Sequence, residues 1–141
     1  MPSNYLIDLP RGLVISRAWG VLTDEDLLGR AQSIAQDPRF RPDMRQLSDF
    51  RDITDLKISS ATIRAMVGSS TFGAGARRAV IVGSDASYGM ARMYQILQDT
   101  APDSVDVFRD EKAALEWLGL TADAVEVLAA LASVGPNPAT G

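Results

Sequence analysis

Apolar positions repeat along this chain with two different periods, and the order of these periods predicts a series of alternating strands and helices. Residues 13–19 alternate between apolar and polar side chains, as in a strand with one buried face. Residues 79–82 are continuously apolar, which is typical of a central strand covered on both faces. The predicted strands are residues 5–8, 13–19, 46–52, 78–82 and 104–108.

Five segments show the spacing of an amphipathic helix, and each follows a residue type that commonly caps a helix. The predicted helices begin at or just after Thr23, Ser59, Gly83-Ser84-Asp85, Asp110 and Thr121. The resulting order is β-β-α-β-α-β-α-β-α-α. Because strands alternate with helices after the opening hairpin, the order predicts a mostly parallel sheet with one antiparallel strand.

The composition excludes several kinds of chemistry. The 141 residues have the size of one domain, and no segment approaches the roughly 18 apolar residues of a membrane span. Because the sequence contains no cysteine and no histidine, it offers no thiol nucleophile, no Cys/His zinc site and no imidazole base. The net charge of −4 argues against nucleic-acid binding. We therefore expect a cytoplasmic, non-enzymatic protein that needs no metal and no cofactor.

Polar residues at strand ends and helix starts are the candidate functional residues. Asp49 and Arg51 are two apart in a predicted strand, so they share a face and form either a structural ion pair or a ligand site. Ser84 and Asp85 follow the predicted central strand, where open α/β sheets bind ligands, but this sequence also suits a capped turn. Arg92 either reaches a bound anion or covers apolar surface with its stem.

Ser59 and Ser60 begin the second predicted helix and form a candidate phosphoacceptor or anion site. A phosphate at a helix N-terminus would be stabilised by free N–H groups and by the helix dipole. The alternative is that Ser59 is only an N-cap, the role that serine commonly has at this position.

Local patterns in five segments carry a resemblance to a known family. They are Trp19-Gly20 with Leu22-Thr23, Asp37-Pro38-Arg39-Phe40, Asp49-Phe50-Arg51 with Ile53-Thr54, residues 88–94 (YGMARMY), and Val107-Phe108-Arg109 with Trp117-Leu118-Gly119. Together with the element order, they resemble the SpoIIAA-like family, which are STAS-type domains related to bacterial anti-anti-sigma factors. The resemblance covers residues 4–119.

This resemblance implies a single mixed, mostly parallel sheet of about five strands flanked by helices, and a regulatory or protein-interaction module with a protein partner. Tyr88 joins the candidate partner-binding residues through its place in the matching segment. Some STAS domains are phosphorylated on a serine at the position of Ser59, but Ile58-Ser59-Ser60-Ala61 departs from their Asp-Ser-(Ser/Thr)-Gly pattern. Because the wider group includes Sec14-type lipid-binding domains, the alternative is a small apolar ligand held between the sheet and the 85–99 helix.

The segment after the matching region predicts one additional helix. Its apolar positions are Val125, Leu128, Leu131 and Ala132. Such a face is buried either against its own domain or against a second copy in a homodimer. We accordingly divide the chain into a SpoIIAA-like domain (1–119), an additional helix (120–134) and a disordered tail (135–141).

Overall fold

Five strands and five α-helices alternate in the computed structural model, which describes residues 3–68, 71–99, 101 and 103–135. The strands are β1 (Ser3–Asp8), β2 (Leu13–Thr23), β3 (Arg45–Lys57), β4 (Arg77–Val82) and β5 (Ser104–Phe108). The helices are α1 (Asp24–Gln36), α2 (Ser60–Gly68), α3 (Asp85–Leu97), α4 (Glu111–Leu118) and α5 (Ala124–Val134). A 3₁₀ turn at Thr121–Asp123 precedes α5.

The strands form one sheet in the order β1-β2-β3-β4-β5. The β1–β2 pair is antiparallel and the other pairs are parallel, which confirms the predicted topology. Two strands extend four or more residues beyond their predicted ends, because β2 continues to Thr23 and β3 to Lys57, where these two residues pair with each other. This extension carries β3 seven residues beyond Phe50, the last β3 residue that pairs with β4.

Helices cover both faces of the sheet, so the inward residues of each strand alternate between two cores. On one face, α4 and α5 bury an aliphatic cluster centred on Leu13, Ile15, Leu47, Ala79 and Ile81. On the other face, α1, α2 and α3 pack over a second cluster that includes Ala18, Leu22, Phe50, Ile63 and Tyr94. Both faces of the central strands are therefore covered, as the apolar run at 79–82 predicts.

Capping residues fix the start of α1 and the end of α4, whereas α5 begins at Ala124, after the 3₁₀ turn, without a side-chain cap. The side chain of Thr23 accepts a hydrogen bond from the backbone of Asp26 (3.3 Å), and Asp26 accepts one from the backbone of Thr23 (3.0 Å), a complete capping box. Gly119 ends α4 with φ of +74°, a conformation that favours glycine. The sequence predicts both of these boundaries correctly.

Helix α5 packs on its own sheet, but with a different face from the predicted one. Val127, Leu131 and Val134 are buried against β2 and its neighbours, whereas Val125 is 80% exposed. The prediction of Val125 and Ala132 as inward residues is wrong, because this helix is apolar nearly all round and periodicity alone does not select a face. A homodimer through this helix stays a prediction. Of the predicted tail, residues 136–141 lie outside the described residues.

None of the helices in the described part of the chain combines the length and the apolar character needed to cross a membrane.

Candidate functional site

Ser59 has the geometry of an N-cap. Its hydroxyl accepts a hydrogen bond from the backbone N–H of Thr62 (3.2 Å), and its own N–H donates to the carboxylate of Asp24 (2.8 Å). This backbone hydrogen bond lowers the pKa of Asp24 below its usual value. Ser59 and Ser60 are both exposed. A phosphate on Ser59 would gain the helix dipole of α2 but would lie beside the negative charge of Asp24, and phosphorylation stays a prediction.

Asp49 and Arg51 form the ion pair that their spacing predicts. Arg51 donates to both carboxylate oxygens of Asp49, from Nε at 3.0 Å and from Nη2 at 2.9 Å, and Asp49 is only 3% exposed. The remaining Nη1 donates to Glu111 at the start of α4 (3.2 Å). Hydrogen bonding to Asp49 raises the pKa of Arg51. The pair therefore fastens β3 to α4.

A second polar cluster lies at the carboxyl ends of β4 and β5. Ser84 caps α3 by accepting a hydrogen bond from the backbone of Ser87 (3.1 Å). Asp85 pairs with Arg109 (3.0 Å), and the guanidinium of Arg109 lies 4.7 Å from the centre of the Tyr88 ring. The side chains of Asp85, Tyr88 and Arg109 all reach solvent, and Tyr88 is 36% exposed. The cluster presents an aromatic ring and a charged pair to solvent.

The glycine before this cluster is explained by packing within the protein. A Cβ on Gly83 would lie 2.8 Å from the backbone oxygen of Arg51. The backbone of β3 therefore leaves no room for a side chain at position 83, and this contact explains the glycine.

The other predicted site residues do not join this cluster. Arg92 lies further along α3, is exposed and hydrogen bonds to Gln95. Ser59 follows the end of β3, which continues for seven residues beyond Phe50, the last residue paired with β4. A strand of that length spans roughly 20 Å, so Ser59 is distant from the end of β4. The predicted residues thus form four groups rather than one edge, because the Asp49–Arg51 pair is a further group.

Sequence analysis missed a buried polar network on the face covered by α1, α2 and α3. Arg78 lies at its centre and donates to Gln46 (3.0 Å), to the hydroxyl of Tyr94 (2.7 Å) and to Asp103 (3.0 Å). Gln98 donates to the other oxygen of Asp103 (2.9 Å). These hydrogen bonds fix the positions of Arg78 and Asp103, whereas the Oε1 atom of Gln98 is buried without a hydrogen-bond partner among the described residues.

Arg30 of α1 lies beside this network and was also missed. It is 8% exposed, and its guanidinium lies 5.3 Å from the centre of the Phe50 ring. A signal for it was present in the sequence, because position 30 is three residues after Leu27 and four before Ile34. Those are the spacings of the buried face of α1.

Two spaces adjoin these arginines. A void of about 40 Å³ lies between the sheet and helices α1, α2 and α3, and is lined mainly by apolar side chains with Arg30, Gln46, Ser48 and Arg78. A larger open groove of about 350 Å³ runs between α1, the end of α2 and the segment before β4. In the part of the chain that the structure describes, no three carboxylates come together as they would to hold a metal ion.

The sheet order, the helices on both faces and the capped strand-to-helix turns together define a SpoIIAA-like α/β domain. The chain is similar in structure to an uncharacterized protein of the DUF3478 family from Shewanella loihica PV-4, described as having a SpoIIAA-like fold. The two are 20% identical, the match covers 82% of this chain and 93% of the other, and the TM-score is 0.53. No protein-family model and no curated protein matches the sequence. The likeness therefore shows the fold alone.

Proposed function

We propose that this protein is a STAS-like regulatory module, without catalysis of its own, that binds a protein partner through Asp85, Tyr88 and Arg109. We call these three residues the docking edge. The observation that carries the proposal is the exposed Tyr88 ring with the Arg109 guanidinium stacked on it and Asp85 holding that guanidinium in place. The SpoIIAA-like fold is compatible with a regulatory module.

The residue types of the docking edge support protein binding. Tyrosine and arginine contribute more than other residues to the energy of protein interfaces, and rigid side chains lose less entropy when a partner binds. Arg109 also contacts Asp85 and the Tyr88 ring, so the three side chains form one patch that a partner can contact together. The cluster also lies at the carboxyl ends of parallel strands, where α/β sheets commonly carry their binding residues.

The apolar-ligand alternative has less geometric support. The space between the sheet and α3 amounts to about 40 Å³. Pockets for small molecules usually measure roughly 300 to 1,000 Å³. The space at this one position is therefore too small to support a ligand between the sheet and α3, and the apolar ligand stays a prediction.

A photo-crosslinking amino acid in place of Tyr88 tests the proposal in host cells. We expect the Tyr88 probe to capture one protein that mass spectrometry identifies, because the ring faces solvent at the docking edge. The matched control is the same probe in place of Ile96, which is 63% exposed on the same helix. An identical capture pattern from both positions would argue against the docking edge.

Affinity measured with the purified partner completes the test. We expect Tyr88→Ala to weaken binding at least about tenfold, as truncation of an interface aromatic commonly does. Arg41→Ala should leave the affinity unchanged, because Arg41 is an exposed arginine just before the amino end of β3, whereas the docking edge lies at the carboxyl ends of β4 and β5. If Tyr88→Ala also leaves the affinity unchanged, the partner binds elsewhere.

A further inference from the structure

Arg30 is a buried cation that the described residues leave uncompensated. Its Nε and Nη1 atoms are inaccessible to solvent and have no hydrogen-bond partner in the structure. No carboxylate of the described residues forms an ion pair with it, and burial lowers the pKa of its guanidinium to about 10. The group stays protonated at neutral pH, so it retains a charge whose burial is costly unless an anion pairs with it.

The neighbours of Arg30 do not supply that anion. The nearby Arg78 adds a second positive charge, which lowers the pKa of Arg30 further. Asp103 is already paired with Arg78 at 3.0 Å and has a fully buried side chain. The Phe50 ring gives a cation–π contact, which is a weak substitute for an ion pair. Among the described residues on this face of the sheet, one positive charge therefore remains without a carboxylate partner.

The 350 Å³ groove leads to this charge. Arg30 lines both the groove and the small void next to it. The walls of the groove are largely apolar, with Leu28, Ala31, Met66 and Phe72 among them. The groove lies near the amino ends of β3 and β4, because Gln46 and Arg78 of its lining are the second residues of those strands. It is therefore separate from the docking edge, which lies at the carboxyl ends.

We propose that the groove binds a small organic monocarboxylate, whose carboxylate pairs with Arg30 and whose apolar body lies along α1 and Phe72. A guanidinium matches the geometry of both carboxylates and phosphates. One uncompensated cation matches one negative charge, whereas a phosphate group carries close to two at neutral pH. The apolar walls suit a hydrocarbon chain or ring. This site does not depend on the proposed protein partner.

Sodium octanoate and sodium benzoate are the probes, titrated into the full-length ¹⁵N-labelled protein and followed by NMR. We expect at least one of them to bind saturably and to shift the Nε–H signal of Arg30. Binding of octanoate without binding of benzoate would indicate a ligand with a hydrocarbon chain, and the reverse result would indicate a ligand with a ring. Sodium phosphate and octan-1-ol are the comparison probes, because the first supplies charge without an apolar body and the second supplies the body without charge.

Two substitutions test the role of Arg30. Arg30→Met keeps the length and removes the charge, so we expect it to weaken binding of the carboxylate at least about tenfold. Because it removes an uncompensated buried charge, the variant without ligand should be at least as stable as the wild type. The control Arg92→Met changes an exposed arginine outside the groove and should leave the dissociation constant within about twofold of the wild-type value.

Four results would overturn the proposal. They are no saturable shift of the Arg30 signal with either carboxylate, equal binding of octan-1-ol, equal or tighter binding of phosphate, and unchanged carboxylate binding by a folded Arg30→Met variant. If Arg30→Met does not fold, the wild-type Nε–H titration decides alone, because it reports on the guanidinium directly.

Discussion

Two adjacent serines at the start of α2 have different roles, although sequence analysis treats them as one candidate site. The hydroxyl of Ser59 accepts a hydrogen bond from the backbone of Thr62, whereas Ser60 is the exposed first residue of the helix. We predict that Ser59→Ala lowers the free energy of unfolding by about 1 kcal/mol, the usual cost of losing an N-cap. Urea denaturation of the purified protein measures this loss.

Ser60→Ala is the matched control for this prediction. It removes the same hydroxyl group one position later, and we expect a change within about 0.5 kcal/mol, as for other exposed residues. Equal losses from both substitutions would contradict the assignment of Ser59 as the cap. A stable Ser59→Ala variant would leave phosphorylation as the better account of this serine.

Arg30 is a single residue whose position could not be predicted from the sequence. The helical period correctly places Leu27 and Ile34 on the buried face of α1. The same period places Arg30 there, but charged side chains are assumed to face solvent because they are seldom buried without a partner. The exception becomes visible only when β3 and β4 bring Phe50 and Arg78 next to it, and those contacts join parts of the chain that are far apart in sequence.

Among the elements, α5 offers the sharpest test of how the core beneath α4 and α5 is built. Leu131 is 3% exposed in the cluster beneath α4 and α5, whereas Val125 on the same helix is 80% exposed. We predict that Leu131→Ala lowers the free energy of unfolding by roughly 2 to 5 kcal/mol, the range for large-to-small substitutions in cores. Val125→Ala should change it by less than about 0.5 kcal/mol.

Chemical denaturation at two protein concentrations separates packing in one chain from packing between chains. If Leu131 contacts only its own sheet, the loss is the same at both concentrations. A loss that varies with concentration would indicate that α5 packs on a second copy. Equal effects of Leu131→Ala and Val125→Ala would contradict the assigned face.

The strands and helices also show which structural features a local sequence pattern can predict. The order of strands and helices follows from period and capping, so it is predictable from the sequence. The length of β3 is not, because Ile53 to Lys57 is a mixed polar and apolar segment whose strand conformation depends on pairing with β2. Gly20, with φ of +66°, interrupts the pattern of β2 and suggests a turn, whereas the strand continues past a register shift.

For the whole molecule, two carboxylates hold the ends of α1 against other parts of the fold. At its start, Asp24 accepts the backbone N–H of Ser59. After its end, Asp37 accepts hydrogen bonds from Arg39 (2.8 and 3.0 Å) and from the Tyr5 hydroxyl of β1 (2.9 Å). The backbone hydrogen bond to Asp24 and the Arg39 side chain at Asp37 lower the pKa of each carboxylate. Helix α1 also forms one wall of the groove that contains Arg30.

Acid should therefore loosen α1, and the sign of the effect follows from the two lowered pKa values. A carboxylate whose pKa is lower in the folded state stabilises the fold above its unfolded pKa of about 3.9, and this stabilisation is lost as the pH falls through the folded value. We predict that the double variant Asp24→Asn, Asp37→Asn is less stable than the wild type at pH 7. The two free energies of unfolding should converge as the pH falls from about 5 towards 2.

Urea denaturation over this pH range measures the convergence. Asp55→Asn is the matched control, because Asp55 is exposed on β3 and has no hydrogen bond or ion pair to the described residues. A plot of its free energy of unfolding against pH should be parallel to the wild-type plot. If the plot for the double variant is also parallel to that of the wild type, these hydrogen bonds do not couple α1 to pH.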